Sequence, residues 1–322
     1  MEMNLQSVTN FLTEKLAVYK KVVLFPHELP DCDALGSTYA LQQAILLNFP
    51  EIDVRIAGLT EDVLKRVPKF FRVAQKSVDA EFCHEALGII CDTANTARVL
   101  SQLHKECQET LRIDHHIKIE TIADYEWVED ARSSTCEMVS LILKTNGWKV
   151  NESLLQALYF GLITDTNRFL YDHTTKITFE VMAWMMTYDF DREAIHNQLY
   201  LRTFDEAKLD NELFTYVKAH EEGYATLYID KPMIEERYQD INLSGKIYLM
   251  ANFIEVKIWL YIYYSEDLNI YKCSIRSREY PVNLIANKFG GGGHRLASGF
   301  KLDKLEDSQL VEAEIQKMLK GE

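Results

Sequence analysis

The chain has 322 residues, 47% of them hydrophobic, and a formal net charge of −14. That length suits about two domains of roughly 150 residues, and the acidity excludes a broad surface for long duplex nucleic acid, which needs a basic face. The six cysteines (Cys32, Cys83, Cys91, Cys107, Cys136, Cys273) contain no CxxC pair, which argues for reduced thiols over a disulfide frame or a zinc site. With no signal peptide and no apolar run long enough to span a bilayer, a soluble, cytoplasmic protein without a membrane partner is expected.

Residues 4–19 read as an amphipathic helix, and residues 22–25 as a short buried strand. His27, Asp31 and Asp33 follow, with Pro30 between them, before a helical pattern starts near Ala34 and stops at Asn48-Phe49-Pro50. The place where a strand ends and a helix begins is where α/β sheets build sites. In an extended loop Asp31 and Asp33 face opposite sides, one for each of two cations. His27 is close enough to share a cation with Asp31, and borderline ions such as Mn²⁺ accept that donor mixture. The plainer alternative is that the aspartates cap the helix.

A second strand is expected over 54–57, then a charged, partly helical segment over 60–74 broken by Pro68. The apolar run 86–91 ends in Asp92, and residues 93–96 lead into a helix carrying Arg98 and His104 on its exposed face. A third such strand ends in Asp114-His115-His116. One of two adjacent histidines ligates a metal while the other faces substrate, and a neighbouring aspartate fixes an imidazole tautomer. Ser134-Thr135-Cys136-Glu137 fits a capping box, opening a helix closed by Asn146-Gly147. The helix from Ser153 delivers Asp165 after an apolar segment, where a carboxylate is costly unless paired or metal-bound. Thr174-Thr175 caps a helix whose Phe179, Met182, Ala183 and Met186 read as core. Residues 187–215 read as a stiff helical connector.

The second half changes character, with β-rich segments at 224–229, 256–264 and 271–275 suggesting a small mixed domain. The last ends in Arg276-Ser277-Arg278, and a helix over 282–289 precedes four glycines, His294 and Arg295. A glycine run frees backbone N–H groups to form an anion-binding nest.

His27, Asp31, Asp33, Asp92, His115 and Asp165 together supply four carboxylates and two imidazoles. Two divalent ions carry +4 against −4, so the cluster is near neutral. Two such ions bridge and acidify a water that attacks phosphorus in line. A neutral cluster leaves the substrate's remaining charge to Arg98, His116, Arg276, His294 and Arg295, so the site is expected in a cleft between two domains.

His27-x-x-x-Asp31-x-Asp33, Asp92, Asp114-His115-His116 and Thr164-Asp165-Thr166 resemble, in order, the four motifs of the DHH phosphoesterase family. Arg276-Ser277-Arg278 and the run 290–294, with Gly292 and Gly293, resemble its small DHH-associated substrate domain. Length and spacing are most similar to the oligoribonuclease/pAp-phosphatase (NrnA-like) branch. The resemblance implies an α/β fold: a larger N-terminal domain (1–188) with a mostly parallel sheet, a connector (189–215), and a smaller mixed-sheet domain (216–322). It implies two Mn²⁺ ions, with Mg²⁺ or Co²⁺ as substitutes, and release of nucleoside monophosphates from very short 5′-phosphorylated RNA. It also implies hydrolysis of 3′-phosphoadenosine 5′-phosphate (pAp) and of pApA. By the same resemblance His27, Asp31 and Asp92 hold one metal, and Asp33, Asp92, His115 and Asp165 the other. Asp92, Asp114 and His116 take catalytic roles, with His116 facing the phosphate. Cys32 stands where a glycine is common, and so does Asn167. Competing expectations are a cyclic dinucleotide phosphodiesterase, a manganese pyrophosphatase and a non-catalytic nucleotide sensor. The oligomeric state is open, a homodimer included.

Overall fold

The computed structural model describes residues 1–65, 67–238, 241 and 243–321. The His294 side chain, and with it the phosphate role expected of it, lies outside the described residues. Two compact units emerge, residues 1–201 and 202–322. Among the described residues no helix is long and apolar enough to cross a membrane.

In the first unit β1 (Lys21–Phe25), β2 (Asp53–Ile56), β3 (Ala86–Cys91), β4 (Glu109–Asp114) and β5 (Tyr125–Val128) form an all-parallel sheet in the order β2-β1-β3-β4-β5. β1 and β3 are buried almost end to end, as a sheet covered on both faces requires. Val22, Leu24, Leu87, Ile89, Leu111 and Ile113 point into one core; Val23, Phe25 and Ile90 point into another. The first core is closed by α1 (Leu5–Val18), α2 (Cys32–Asn48), α3 (Thr135–Asn146) and α4 (Glu152–Asp165). The strand order reverses between β1 and β3, and such a switch point opens a crevice at the carboxyl ends of the strands.

Three local expectations are corrected. Residues 96–106 are two 3₁₀ turns, Thr96–Arg98 and Gln102–Glu106, not one helix. Asn95 and Ser101 each cap a separate turn, and between them the Leu100 N–H donates to the Pro26 carbonyl while Val99 bridges to His27. His104 is consequently buried edge-on to the Phe25 ring, with its basicity lowered by that burial. In α5 (Lys176–Met185) the core residues are Thr178, Val181 and Met185, whereas Phe179 and Met186 are exposed. The core-facing stripe is rotated one position from the expected one. The helical segment expected over 187–215 holds two helices, α6 (Arg192–Tyr200) in the first unit and α7 (Phe204–Phe214) in the second, because Thr203 starts a new capping box with Glu206.

The second unit carries a six-stranded mixed sheet in the order β10-β11-β9-β8-β7-β6. Its strands are β6 (Lys218–His220), β7 (Tyr224–Ile229), β8 (Ile258–Ser265), β9 (Ile270–Ser277), β10 (Gly292–His294) and β11 (Ala297–Leu302). Among the described residues of this sheet only β7 and β8 pair in parallel. One face packs on α8 (Asn283–Lys288) and α9 (Ser308–Lys320). The last two of the four glycines, Gly292 and Gly293, belong to edge strand β10 and pair with β11. A Cβ on Gly291 would lie 2.2 Å from the Gly299 carbonyl, and one on Gly293 2.6 Å from the Ala297 carbonyl. The glycines therefore permit a close strand approach.

Candidate metal centre

His27 follows β1, Asp92 follows β3, and Asp114-His115-His116 ends and follows β4, so three neighbouring strands deliver their polar residues to one sheet edge. Asp31 is the N-cap of α2: its Oδ1 accepts the N–H groups of Asp33 and Ala34 at 2.9 and 3.0 Å. Its Oδ2 lies 3.7 Å from His27 Nε2. Capping and facing the histidine are thus done by different oxygens of one carboxylate. Asp33 lies inside the first helical turn, not in an extended loop, and its direction comes from the helix. It is buried at the N-terminus of α3, where the Thr135 and Cys136 N–H groups donate to its two oxygens at 2.7 and 2.9 Å. Unsatisfied N–H groups at a helix start favour such an anion.

Asp92 joins the groups. Its Oδ2 is 3.5 Å from His27 Nε2, and its Oδ1 is 3.4 Å from His115 Nε2. His115 Nε2 also lies 3.4 Å from Asp165 Oδ2 and 3.8 Å from Asp33 Oδ2. Among the described residues three sets have ligand atoms within 4.8 Å of one another: His27-Asp31-Asp92, Asp33-His115-Asp165 and Asp92-His115-His116. Asp92 holds φ of +55°, a conformation that costs a side-chain-bearing residue energy and is retained where geometry demands it.

The donor set fits divalent cations. Separations of 3.4–3.8 Å exceed hydrogen-bond length. They lie at or just beyond the separation of two ligands on one ion, since bonds of about 2.0–2.2 Å at right to tetrahedral angles place ligands roughly 2.8–3.6 Å apart. Both imidazoles are oriented as a metal ligand would be: His27 Nδ1 donates to the Glu28 carbonyl at 2.7 Å and His115 Nδ1 to the Arg132 carbonyl at 3.3 Å, leaving Nε2 toward the carboxylates. Burial and then the charge of Asp92 push Asp33 up to about 7. Burial and neighbouring carboxylates likewise raise Asp165 far above its ordinary range, although His115 opposes them. Burial disfavours the His27 imidazolium, but Asp31 and then Asp92 outweigh it and raise its value to about 9. These carboxylates repel one another, and a cation relieves that repulsion.

His116 is held differently. Its Nδ1 is 2.8 Å from Asp114 Oδ1 and 3.5 Å from Asp92 Oδ1. Asp114 is buried and takes Arg112 Nη2 at 2.5 Å on its other oxygen. Arg112 itself is fully buried, beside Glu126 at 3.5 Å and donating to the Ala94 and Glu120 carbonyls. The hydrogen bond and charge of His116, then the charge of Arg112, outweigh the burial of Asp114 and hold its carboxyl below its usual range.

Sequence reasoning missed the supporting shell. Thr135 Oγ1 lies 3.2 Å from Asp92 Oδ1, and Cys136 Sγ packs at the crossing of α2 and α4. Ser134 does cap the Glu137 N–H, but the Glu137 carboxylate accepts from Ser133 and Thr178 hydroxyls at 2.6 Å each, instead of closing the capping box. Gly36 and Gly161 bring the helices together; a Cβ on Gly161 would meet Cys136 Sγ at 2.3 Å and Asp33 Oδ1 at 2.8 Å. Buried Arg112, an odd residue for an interior strand, was the one signal available.

Asn167, Arg168 and Phe169 all have positive φ, a left-handed turn braced by Thr166, whose Oγ1 accepts the Phe169 N–H at 3.0 Å. Asparagine adopts that conformation more readily than most residues, so Asn167 substitutes for the usual glycine. Cys32 opens α2 with its thiol pushed up to about 12 by burial and the Asp31 charge. Arg98 is half exposed, 4.0 Å from Glu28. In the second unit Arg276 Nη1 donates to the Ile275 and Ser298 carbonyls, Arg278 to Phe253 and Arg295 to Glu279. Ser277 Oγ donates to the Tyr280 carbonyl at 2.5 Å.

A family model described as the DHH family, N-terminal domain, matches residues 21–162, and the DHHA1 domain matches residues 223–321. The chain is a DHH-family phosphoesterase. It is 35% identical to an uncharacterised Mycoplasma genitalium protein, MG371, over 93% of this chain and 91% of that one. It is 29% identical to the bifunctional oligoribonuclease and PAP phosphatase NrnA of Bacillus subtilis, over 96% and 98% of the two chains. An exopolyphosphatase-related protein from Bacteroides fragilis shares the fold at a TM-score of 0.85 and 19% identity, covering 98% of each chain. Membership of the DHH family makes this chain a phosphoester hydrolase.

Proposed function

We propose that the chain hydrolyses very short 5′-phosphorylated oligoribonucleotides, pApA included, to nucleoside monophosphates, and pAp to AMP, using two Mn²⁺ ions. The observation that carries this reading is the division of Asp92, whose two oxygens face two separate donor sets. His27, Asp31 and Asp92 are assigned to one ion, and Asp33, Asp92, His115 and Asp165 to the other. Two divalent ions bound by these residues would supply Lewis-acid polarisation of the phosphoryl oxygens and an acidified water.

The chain's own groups supply the rest. His116 Nδ1 is engaged by Asp114, which directs its Nε2 outward to carry a proton to or from the reacting phosphate's leaving oxygen. Asp114, flanked by Arg112, fixes that ring's orientation. We assign Arg98 in the first unit, and Arg276, Ser277, Arg278, Gly292, Gly293, His294 and Arg295 in the second, to the substrate's remaining charge. The guanidinium forks suit terminal phosphate.

Purified protein with Mn²⁺ is offered pAp, pApA, 5′-phosphorylated RNAs of two to five nucleotides, cyclic di-AMP and pyrophosphate. Turnover of pAp and short RNA is expected. Exclusive turnover of pyrophosphate or of the cyclic dinucleotide would replace the reading. Asp92→Ala is expected to abolish turnover while pAp still binds; unchanged turnover would remove the metal assignment.

A further inference from the structure

Residues 115–124 join β4 to β5, and His116 stands near their start. A connection between parallel strands usually carries a helix; this one holds neither helix nor strand. Apolar burial does not fix the part next to His116, since Ile117 and Ile119 are 71% and 67% exposed. Polar anchors hold it instead. The Glu120 carbonyl accepts from Arg112 Nη1 at 3.1 Å, and the Glu120 carboxylate accepts the Thr96 N–H. The Ile122 N–H donates to Glu126 Oε1 at 2.8 Å. Lys118 Nζ lies 2.8 Å from Glu126 Oε2.

The last of these anchors is unlike an ordinary surface pair. Glu126 belongs to β5 and its side chain is buried, while Lys118 reaches onto it from a partly exposed position. Two buried carboxylates, Asp114 and Glu126, face one buried guanidinium, Arg112, which bonds Asp114 and lies 3.5 Å from Glu126 Oε1. One cation does not neutralise two anions, and Lys118 supplies the second. Burial disfavours the Glu126 carboxylate, but Lys118, the Ile122 N–H and Arg112 outweigh it, in that order, and hold it below its usual range. Lys118 also meets Glu2 at 3.0 Å, but that carboxylate is exposed, and exposed pairs contribute little.

We propose that Lys118 and Glu126 are positioning residues for His116: their ion pair ties down the loop two residues beyond that ring and leaves Arg112 to Asp114. Asp114 sets the rotation of the imidazole through Nδ1, and the Lys118–Glu126 tie sets the backbone that carries it, hence its distance from the leaving oxygen. Displacing a proton-transfer group by about 1 Å is enough to cost rate. The adjacent His115 is held separately, through Nδ1 on the Arg132 carbonyl, so the tie acts on proton transfer and not on metal binding. The proposal rests on the role given above to His116 and adds what keeps that ring in place on a loop without regular structure.

The test compares full-length wild type, Lys118→Met, Lys118→Arg, Glu126→Gln and Lys118→Met/Glu126→Gln on pAp with Mn²⁺. Lys118→Met and Glu126→Gln should each lose about ten-fold in kcat, with KM and Mn²⁺ affinity changed by less than about two-fold. Lys118→Arg should retain kcat, and the double variant should be no worse than the poorer single one, because one pair is being broken. A second readout needs no turnover. In metal-free protein labelled with ¹⁵N-histidine, the proton shared by His116 Nδ1 and Asp114, assigned by its loss in His116→Gln, should be visible in wild type and Lys118→Arg and lost to exchange with water in Lys118→Met. An unaltered kcat and proton signal in Lys118→Met, additive losses in the double variant, or Mn²⁺ affinity falling in step with kcat would overturn the positioning role. Wild type inactive on both pAp and short RNA would overturn the underlying activity instead, and the proton signal alone would then decide for or against the tie.

Discussion

Asp33 offers a prediction in which function and stability oppose each other. Its carboxylate is fully buried, receives two backbone N–H groups and faces Asp92. Burial and that facing charge raise it from an ordinary 3.8 to about 7. A carboxylate whose folded value exceeds its unfolded one stabilises the fold relative to the ionised state only while protonated. The contribution is complete below the unfolded value and is lost as pH rises to about 7, in total roughly 4 kcal/mol. In chelator, wild type should therefore lose about 2 kcal/mol between pH 5.5 and pH 8 through this group alone. Asp33→Asn removes the titration. Its amide sets an NH₂ against a backbone N–H, costing about 1–3 kcal/mol at every pH, so the readout is the change between the two pH values. Urea denaturation of the two metal-free proteins should show Asp33→Asn gaining on wild type by about 2 kcal/mol from pH 5.5 to pH 8. The variant should also lose Mn²⁺ affinity. Superimposable pH dependences would refute the claim that crowded, buried carboxylates strain the metal-free site.

Mn²⁺ binding should release protons, because His27, raised to about 9, must lose its proton to ligate. Calorimetry in buffers of different ionisation enthalpy reads that release, and affinity should fall as pH drops below about 9. Gly161→Ala should destabilise by about 1–3 kcal/mol through overpacking against Cys136 and Asp33 and weaken Mn²⁺ binding; a variant with wild-type melting and affinity would show that the helices yield freely. Arg112→Met should cost about 3–5 kcal/mol, since Asp114 and Glu126 lose a buried cation. Its kcat should fall more than its KM changes, because His116 loses its brace, and steady-state kinetics separate the two.

The strands β1, β3 and β4 were legible because doubly covered strands are written as unbroken apolar runs, and the acids and imidazoles that end them stand out against those runs. Asp165 was legible for the same reason, a carboxylate closing an apolar helix. The role of Thr135 and Cys136 was not legible: their contribution is a pair of backbone N–H groups that any residue possesses, and local capping accounted for the letters. His104 and the α5 stripe misled because a helical period says which residues share a side, not which side finds a partner.

By itself, the amino-acid order determined the apolar strands of the first unit and the inventory of candidate metal donors at their ends, since each depends on neighbours a few positions apart. Only the folded chain decided that one carboxylate, Asp92, divides its oxygens between two donor sets, and that Asp33 rests on the start of a helix a hundred residues away. Those facts depend on strand order and on how closely α2 and α4 cross at two glycines, quantities set by packing between distant segments.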